Sequence, residues 1–307
     1  MEHAFRTGAR LFAGAFCTMA AVTAVSYRPL SLVVSSALPE STRVDRSLHA
    51  DASTAGGGQR VFTTGGAHPE FQTGVLLYQY SSCPFCNKVK AYLDWRQIAY
   101  TAVEVNPLTK TELKWSVDYT KVPIVIAMPA YERLIESSKI IETLEVRMTG
   151  NDDFLRDSES EKWRAWVDTS LVKTLPPNIY RTIPEAWDSL EYMTEHHKFS
   201  AMERRAAQVV GTVVMYVIGK MLKRKYGFAD ERQALVDRLN EWSEFVDSRG
   251  GFAGGKQPNV TDASVFGVLR AVEPLQLWPE VTSKSRISKW YRNMKEHVGP
   301  SQCKIVL

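Results

Sequence analysis

The sequence predicts an α/β domain followed by an all-α domain, and three observations carry that expectation. From Val75 to Gly150, short β-prone runs alternate with stripes at helical spacing. Beyond Gly150 only the helical spacing continues. A Cys-x-x-Cys pair, Cys83-Pro84-Phe85-Cys86, stands where the first strand-like run gives way to the first helical one. The 307 residues suffice for two domains of modest size. The expected division is a leader and spacer over 1–70, an α/β domain over 71–150 and a helical domain over 151–300.

Composition sets limits on function. Lys and Arg total 38 against 34 for Asp and Glu, a net charge of +4. That surplus is small and dispersed, whereas a nucleic-acid binder gathers basic residues on one face, so no nucleic-acid partner is expected. Four cysteines are too few for a disulfide-stapled secreted scaffold. The longest uncharged stretches near the start, Leu11–Tyr27 and Pro29–Pro39, fall short of the roughly 20 strongly apolar residues of a spanning helix.

Met1–Tyr27 joins Arg6 and Arg10 to small and apolar residues with Glu2 as its one acid. This reads as a mitochondrial targeting segment, with a membrane-associated anchor in Golgi or cytoplasm as the alternative. Ser41–Gly66, rich in Ser, Thr and Ala around Gly56-Gly57-Gly58, has no apolar period and reads as a spacer.

In the α/β region, Val75–Tyr80 is a β-prone run, and Val89, Tyr92, Leu93 and Trp95 follow at helical spacing. Tyr100–Val105 is strand-like and stops at Asn106-Pro107; Thr109–Ser116 is a short helical segment. Ile124–Met128 and Glu132–Ile135 pair as a hairpin around Pro129, and Ile140–Met148 closes the region as a helix before Gly150. The order β-α-β-α-β-β-α, with the cysteine pair opening the first helix, is that of a thioredoxin-like domain.

The second half reads as consecutive helices. Trp163, Trp166, Val167 and Leu171 form one apolar stripe, which Pro176-Pro177 is expected to break. Pro184 suits the first turn of the next helix. Ala206–Gly219 carries no charge and is expected to be a fully buried core helix, leaving through Lys220, Lys223, Arg224 and Lys225 into Gly227. Asn259 and Asp262 have the spacing of a capping box for the helix that holds Val265, Phe266, Val268, Leu269 and Val272.

The cysteine pair is the strongest local signal. A thiol at a helix N-terminus meets unpaired backbone N–H groups and the positive end of the helix dipole, both of which favour thiolate. Cys83 is therefore expected to be the exposed, activated sulfur and Cys86 the more buried, resolving one, with Lys88 and Lys90 adding positive potential. No second Cys-x-x-Cys or Cys/His cluster accompanies the pair, so no metal site is expected. Cys17 lies in the leader, and Cys303 stands one position too early for a prenylation signal.

Lys121-Val122-Pro123 precedes a strand where thioredoxin-like folds place a cis-proline opposite the redox cysteines. The backbone of Val122 is placed there to pair with an extended thiol peptide such as glutathione. Ser137, expected as N-cap of the closing helix, offers its hydroxyl and the next amides to a peptide carboxylate, and Glu136 offers a carboxylate to an ammonium.

These blocks together resemble the prostaglandin E synthase 2 family. The resemblance rests on Leu77-Tyr78-Gln79-Tyr80 before Cys83-Pro84-Phe85-Cys86, on Val103-Glu104-Val105-Asn106-Pro107, on Lys121-Val122-Pro123-Ile124 and on Ser137-Ser138. In the helical half it rests on Pro177-Asn178-Ile179-Tyr180-Arg181-Thr182 and Gly267-Val268-Leu269-Arg270. It implies a thioredoxin-like half joined to a glutathione-transferase-like helical half, frequently as a homodimer. It also implies glutathione and haem as cofactors, with haem near Cys83, and isomerisation of the lipid endoperoxide prostaglandin H2 to prostaglandin E2. On matching positions, Cys83 is the catalytic thiol with Tyr80, Phe85 and Cys86 beside it, and Val122, Pro123, Glu136 and Ser137 contact glutathione. The chain departs from the family in carrying Glu136 where Asp is expected, one methylene farther out, and in a short interdomain segment, Thr149–Ser158.

The chemistry implied is attack of the Cys83 thiolate on a peroxide oxygen, with a hydrogen bond from Tyr80 and with Phe85 and Trp115 lining an apolar cleft for the lipid chain. Two other readings use the same residues. One is a glutaredoxin-type thiol–disulfide oxidoreductase working through Cys83 and Cys86. The other is a non-catalytic glutathione- and haem-binding protein.

Overall fold

Val75–Gln79 (β1) is buried at every position, as a strand flanked on both sides and covered on both faces must be. The computed structural model describes residues 74–107, 109–195 and 201–306. The leader, the spacer and Cys17 lie outside the described residues. β1 pairs in parallel with β2 (Tyr100–Glu104), in a register that sets Gln79 beside Glu104. On its other side it pairs antiparallel with β3 (Ile124–Ala127), which forms a hairpin with β4 (Glu132–Ile135). The expected turn at Pro129 is present, and both Val122-Pro123 and Met128-Pro129 are cis. A fifth strand, β5 (Cys303–Val306), runs parallel to β2 and completes the order β4-β3-β1-β2-β5. The sequence reading assigns no strand there.

Two helices cover one face of this sheet. In α1 (Pro84–Trp95), Pro84 supplies a preset first-turn φ at a position whose N–H has no helical partner. Then α2 (Ser137–Thr149) stops at Gly150, whose φ of 65° is the left-handed conformation of a C-terminal cap. Val89, Tyr92, Leu93, Ile140, Ile141 and Leu144 pack there against Leu77. Tyr78, Val103, Leu113 and Ile124 form a separate core on the opposite face.

The second half is helical: α3 (Asp153–Arg156), α4 (Ser158–Trp166), α5 (Val172–Ile179), α6 (Ile183–Glu195), α7 (Ala201–Lys225), α8 (Glu231–Arg249), α9 (Val260–Arg270), α10 (Leu277–Lys284) and α11 (Ile287–Val298). Its core centres on Trp163, Leu175, Trp242, Phe266, Val268 and Trp290. The capping box of α9 forms as expected, and Asp262 also accepts hydrogen bonds from the amides of Ala253 and Gly254 and from Trp290 Nε1. α9 lies directly on α1: a Cβ on Gly267 would stand 2.5 Å from both the carbonyl oxygen of Asn87 and the Cα of Lys88. That close approach is what the glycine permits.

Two expectations for this half are corrected. Pro176-Pro177 does not break the helix, which passes from α4 through a π-turn at Val167–Leu171 into α5 and ends at Ile179. Burial of Leu171, Val172 and Leu175 in the core holds the segment helical despite the two missing N–H donors. Nor is Ala206–Gly219 fully buried. α7 packs one side on α6 through Met215, while Val209, Val213, Val217 and Met221 face outward, Val213 being 58% exposed. Absence of charge reported composition, not which side of the helix meets the core. Among the described residues no helix is long and apolar enough to cross a membrane.

Candidate active site

The end of β1 and the start of α1 form an elbow, and Cys83 closes it as N-cap of α1 with extended backbone (φ −74°, ψ 123°). Its N–H donates to the carbonyl of Tyr80 at 3.0 Å. Asn87 holds the elbow from within the helix, its Nδ2 donating to the carbonyls of Ser81 at 2.7 Å and Cys83 at 3.1 Å. Glu104 holds it from β2: it accepts from the Ser81 N–H and hydroxyl at 2.8 Å each and from Gln79 Nε2 at 3.1 Å.

The two sulfurs are tied to each other. A hydrogen bond from the Cys86 thiol, together with the backbone N–H groups of Cys86 and Phe85, holds the Cys83 thiol below the ordinary thiol range against the opposing effect of burial. Burial, then the neighbouring Cys83 sulfur, pushes the Cys86 thiol well up. Cys83 thus has the character of the thiolate and Cys86 of its donor. The expectation that Cys83 is exposed is corrected: it is 6% exposed against 0% for Cys86, because the Tyr80–Ser82 elbow folds back over it. Tyr80 stands beside both sulfurs, and burial followed by their negative charge raises its hydroxyl pKa, leaving it a hydrogen-bond donor.

The Lys88 ammonium is paired away from the elbow. On a side chain only 2% exposed, it is 2.7 Å from Asp168 Oδ1 and donates to Ser138 Oγ at 2.8 Å. Ser138 Oγ donates in turn to Asp168 Oδ2 at 2.6 Å. Lys90 is the nearer cation to Cys86, and burial followed by Arg270 lowers its pKa.

The groups expected at a thiol peptide lie along β3 and the start of α2. Val122 precedes the paired part of β3, which begins at Ile124, and the cis bond to Pro123 is present. Ser137 is not the N-cap. Glu136 takes that position with φ 65° and no capping bond from its side chain, and Ser137 is the first helical residue, buried. The positive φ of Glu136 turns the chain into the helix one residue early, so that its carbonyl already accepts from Ile140 N–H at 2.8 Å. Glu136 Oε1 accepts from the hydroxyl of Tyr119 at 3.0 Å, and Tyr119 also lies within electrostatic reach of Cys86. Phe85 packs against the helical core, whereas Trp115 packs against Tyr78 at 5.2 Å on the other face of the sheet, so these two aromatics do not share a wall.

Glu104, Asn87, Ser138 and Asp168 escaped the sequence reading as site residues. Glu104 had a signal, a lone carboxylate between two valines in a β-prone run; Asp168 had only its place beside an apolar stripe. Among the described residues no group of three or more His, Cys, Asp or Glu side chains could hold a metal ion.

Comparison with known proteins places this arrangement. The family described as the N-terminal domain of glutathione S-transferases matches residues 77–152, from β1 to just past α2. Prostaglandin E synthase 2 of Mus musculus is 35% identical over 285 residues, 75% of this chain and 74% of that protein. Its Danio rerio counterpart is 34% identical over 267 residues, 72% of this chain and 70% of that protein. The chain belongs to the prostaglandin E synthase 2 family. Membership covers both halves, since these matches extend far beyond the α/β region. The fold is of the glutathione-transferase type, a thioredoxin-like sheet domain followed by a helical one. Among solved structures, a glutathione S-transferase of Ceriporiopsis subvermispora in complex with glutathione overlays with a TM-score of 0.49 at 12% identity, covering 73% of this chain and 98% of that one.

Proposed function

We propose that the protein is a glutathione-binding thiol enzyme that isomerises a lipid endoperoxide, prostaglandin H2, to the ketone prostaglandin E2 through Cys83. The observation that carries this reading is the Cys83 sulfur itself, biased towards thiolate by the Cys86 thiol and two helix N–H groups, in a chain of this family. The thiolate attacks one peroxide oxygen; an S–O bond forms as the O–O bond breaks, and the other oxygen leaves as alkoxide and takes up a proton. Loss of the proton on the carbon bearing the S-bound oxygen then forms the C=O bond and expels the thiolate. The sequence of steps is redox-neutral and returns Cys83 to its starting state. Tyr80, kept protonated by burial, donates a hydrogen bond to the departing alkoxide or the returning thiolate.

Glutathione lies extended beside Val122 in this reading, with a carboxylate at the first-turn amides of α2 and its ammonium towards Glu136. Haem near Cys83 does not fit the residues as arranged, because the sulfur that would hold it is already engaged by the Cys86 thiol.

A thiol–disulfide exchange reading has one specific support, the hydrogen bond between the sulfurs, which places Cys86 to resolve a mixed disulfide. Product analysis after incubating the purified protein with prostaglandin H2, with and without glutathione, separates the readings. Prostaglandin E2 above the spontaneous rate supports the isomerase, and its absence beside reduction of a glutathione mixed disulfide supports the exchange reaction. A homodimer has a candidate surface in the outward side of α7; sedimentation of a Val213→Glu variant tests it. The Arg-bearing, acid-poor start supports mitochondrial import, which a fluorescent fusion of residues 1–70 reads out.

A further inference from the structure

Glu104 is a buried carboxylate that the proposed chemistry does not use. It ends β2, is 3% exposed, and sits one strand over from Gln79, immediately beneath the elbow that presents Cys83. Both of its oxygens are committed there. Oε1 accepts the Ser81 N–H, and Oε2 accepts the Ser81 hydroxyl and Gln79 Nε2. An amide brings one acceptor oxygen to these three donors and would need Gln79 to turn, whereas the carboxylate accepts all three as they stand, at the cost of burying its charge. A charge retained at such a place acts on what lies next to it.

From these contacts we infer that Glu104 is a positioning residue for Cys83 with a second role: its hydrogen bonds fix the elbow, and its charge limits how much of the Cys83 sulfur is ionised at neutral pH. The groups that face it are Tyr80 and Ser81 from the elbow, Gln79 from β1, Cys83, Cys86 and Lys90 from α1, and Tyr192 from α6. Lys90 is the cation among them, and its charge is opposed by Arg270 and favoured by Asp94. The negative charge of Glu104 opposes thiolate at both sulfurs, against the helix N–H groups that favour it at Cys83. The consequence is a Cys83 thiol whose ionisation is set by two opposing influences, the helix N–H groups that favour it and the Glu104 charge that resists it. This inference does not depend on glutathione or an endoperoxide being the partner.

The test is the pH profile of Cys83 alkylation by iodoacetamide, resolved from the other cysteines by peptide mass spectrometry. Glu104→Gln is the informative variant because the site can accept it. Gln79 Oε1 has no hydrogen-bond partner in the native protein, so a rotated Gln79 amide can take the new donor. The expected result is a midpoint at lower pH, with alkylation at pH 6 about tenfold faster than in the native protein and the same plateau at high pH, in line with one unit charge removed at close range. Glu104→Asp keeps the charge and withdraws the hydrogen bonds by one methylene; it should keep the native midpoint with a lower plateau, and it carries the test should the Gln variant not fold. A Glu104→Gln profile superimposed on the native one, or a Glu104→Asp midpoint displaced as far as that expected for Gln, overturns the inference.

Discussion

The ammonium of Lys88 lies 2.7 Å from Asp168, tying the helix that starts at Cys83 to the π-turn of the helical domain, with Ser138 bonded to both. Ser138 follows Ser137 in the first turn of α2, so one half-buried cluster fixes the thiol helix, the start of α2 and the helical domain relative to one another. Buried pairs gain little over apolar residues but are costly to break on one side. Because the Asp168 side chain keeps 28% exposure, Lys88→Met is expected to destabilise by about 1–3 kcal/mol, less than a fully buried pair broken on one side. The double variant Lys88→Met/Asp168→Leu should recover much of that loss. Urea midpoints check both, and a double variant as unstable as the single one contradicts the account.

The contact of α9 on α1 admits no side chain at Gly267. Gly267→Ala places a Cβ 2.5 Å from backbone atoms of Asn87 and Lys88, which cannot swing aside as a side-chain tip can. Overpacking of this kind costs about 1–3 kcal/mol and should shift α1, so thermal unfolding and the alkylation rate of Cys83 are expected to change together. A stable variant with native reactivity would show that the helices separate freely.

Asp262 gathers four N–H donors, from Ala253, Gly254, Asn259 and Trp290, while fully enclosed. Asp262→Ala strands them, and each buried unsatisfied donor costs about 1–3 kcal/mol. The variant is expected to lose most of its stability in a calorimetric scan, whereas Asp262→Asn, which keeps one carbonyl acceptor, should lose less.

The two thiols should titrate apart. Below its midpoint Cys83 is a thiol and unreactive, and above it a thiolate. Because the Cys86 thiol and two helix N–H groups depress that midpoint, alkylation should rise at a pH below that of an ordinary cysteine. Cys86, raised by burial, should stay unlabelled throughout the neutral range. In Cys86→Ser the hydroxyl still donates to Cys83, and the early rise should persist; Cys86→Ala should move it to higher pH.

The outward side of α7 separates two views of that helix. With Val213 and Val217 exposed, Val213→Lys and Val217→Lys are each expected to change the stability of the monomer by no more than about 0.5 kcal/mol. Met215→Lys, on the packed side, should cost several times as much. Equal penalties at all three positions would return α7 to the fully buried helix that its lack of charge suggests.

Much of the α/β half was legible because its signals are local. β1, α1 and the Val122-Pro123 bond follow from runs and motifs within a few residues of each other, and the Asn259–Asp262 box is likewise contained in one turn. What was hidden is non-local. β5 is a four-residue run whose partner, β2, lies some two hundred residues earlier in the chain. The Lys88–Asp168 pair joins helices of different domains, and nothing in either neighbourhood announces the other. Ser137 was misplaced by one residue because only the backbone reveals the positive φ of Glu136. The burial of Cys83 was missed for a related reason: the elbow that covers it is held by Glu104 and Asn87, whose roles appear only once β2 lies beside β1.

The measurement closest to the central claim is turnover of prostaglandin H2 by Cys83→Ser and Cys86→Ser under identical conditions. Loss of the Cys83 thiolate should abolish prostaglandin E2 formation, while Cys86→Ser, which keeps a hydrogen-bond donor to Cys83, should retain a large part of it. Equal and complete loss in the two variants would contradict a single-thiolate isomerase and assign the chemistry to the cysteine pair.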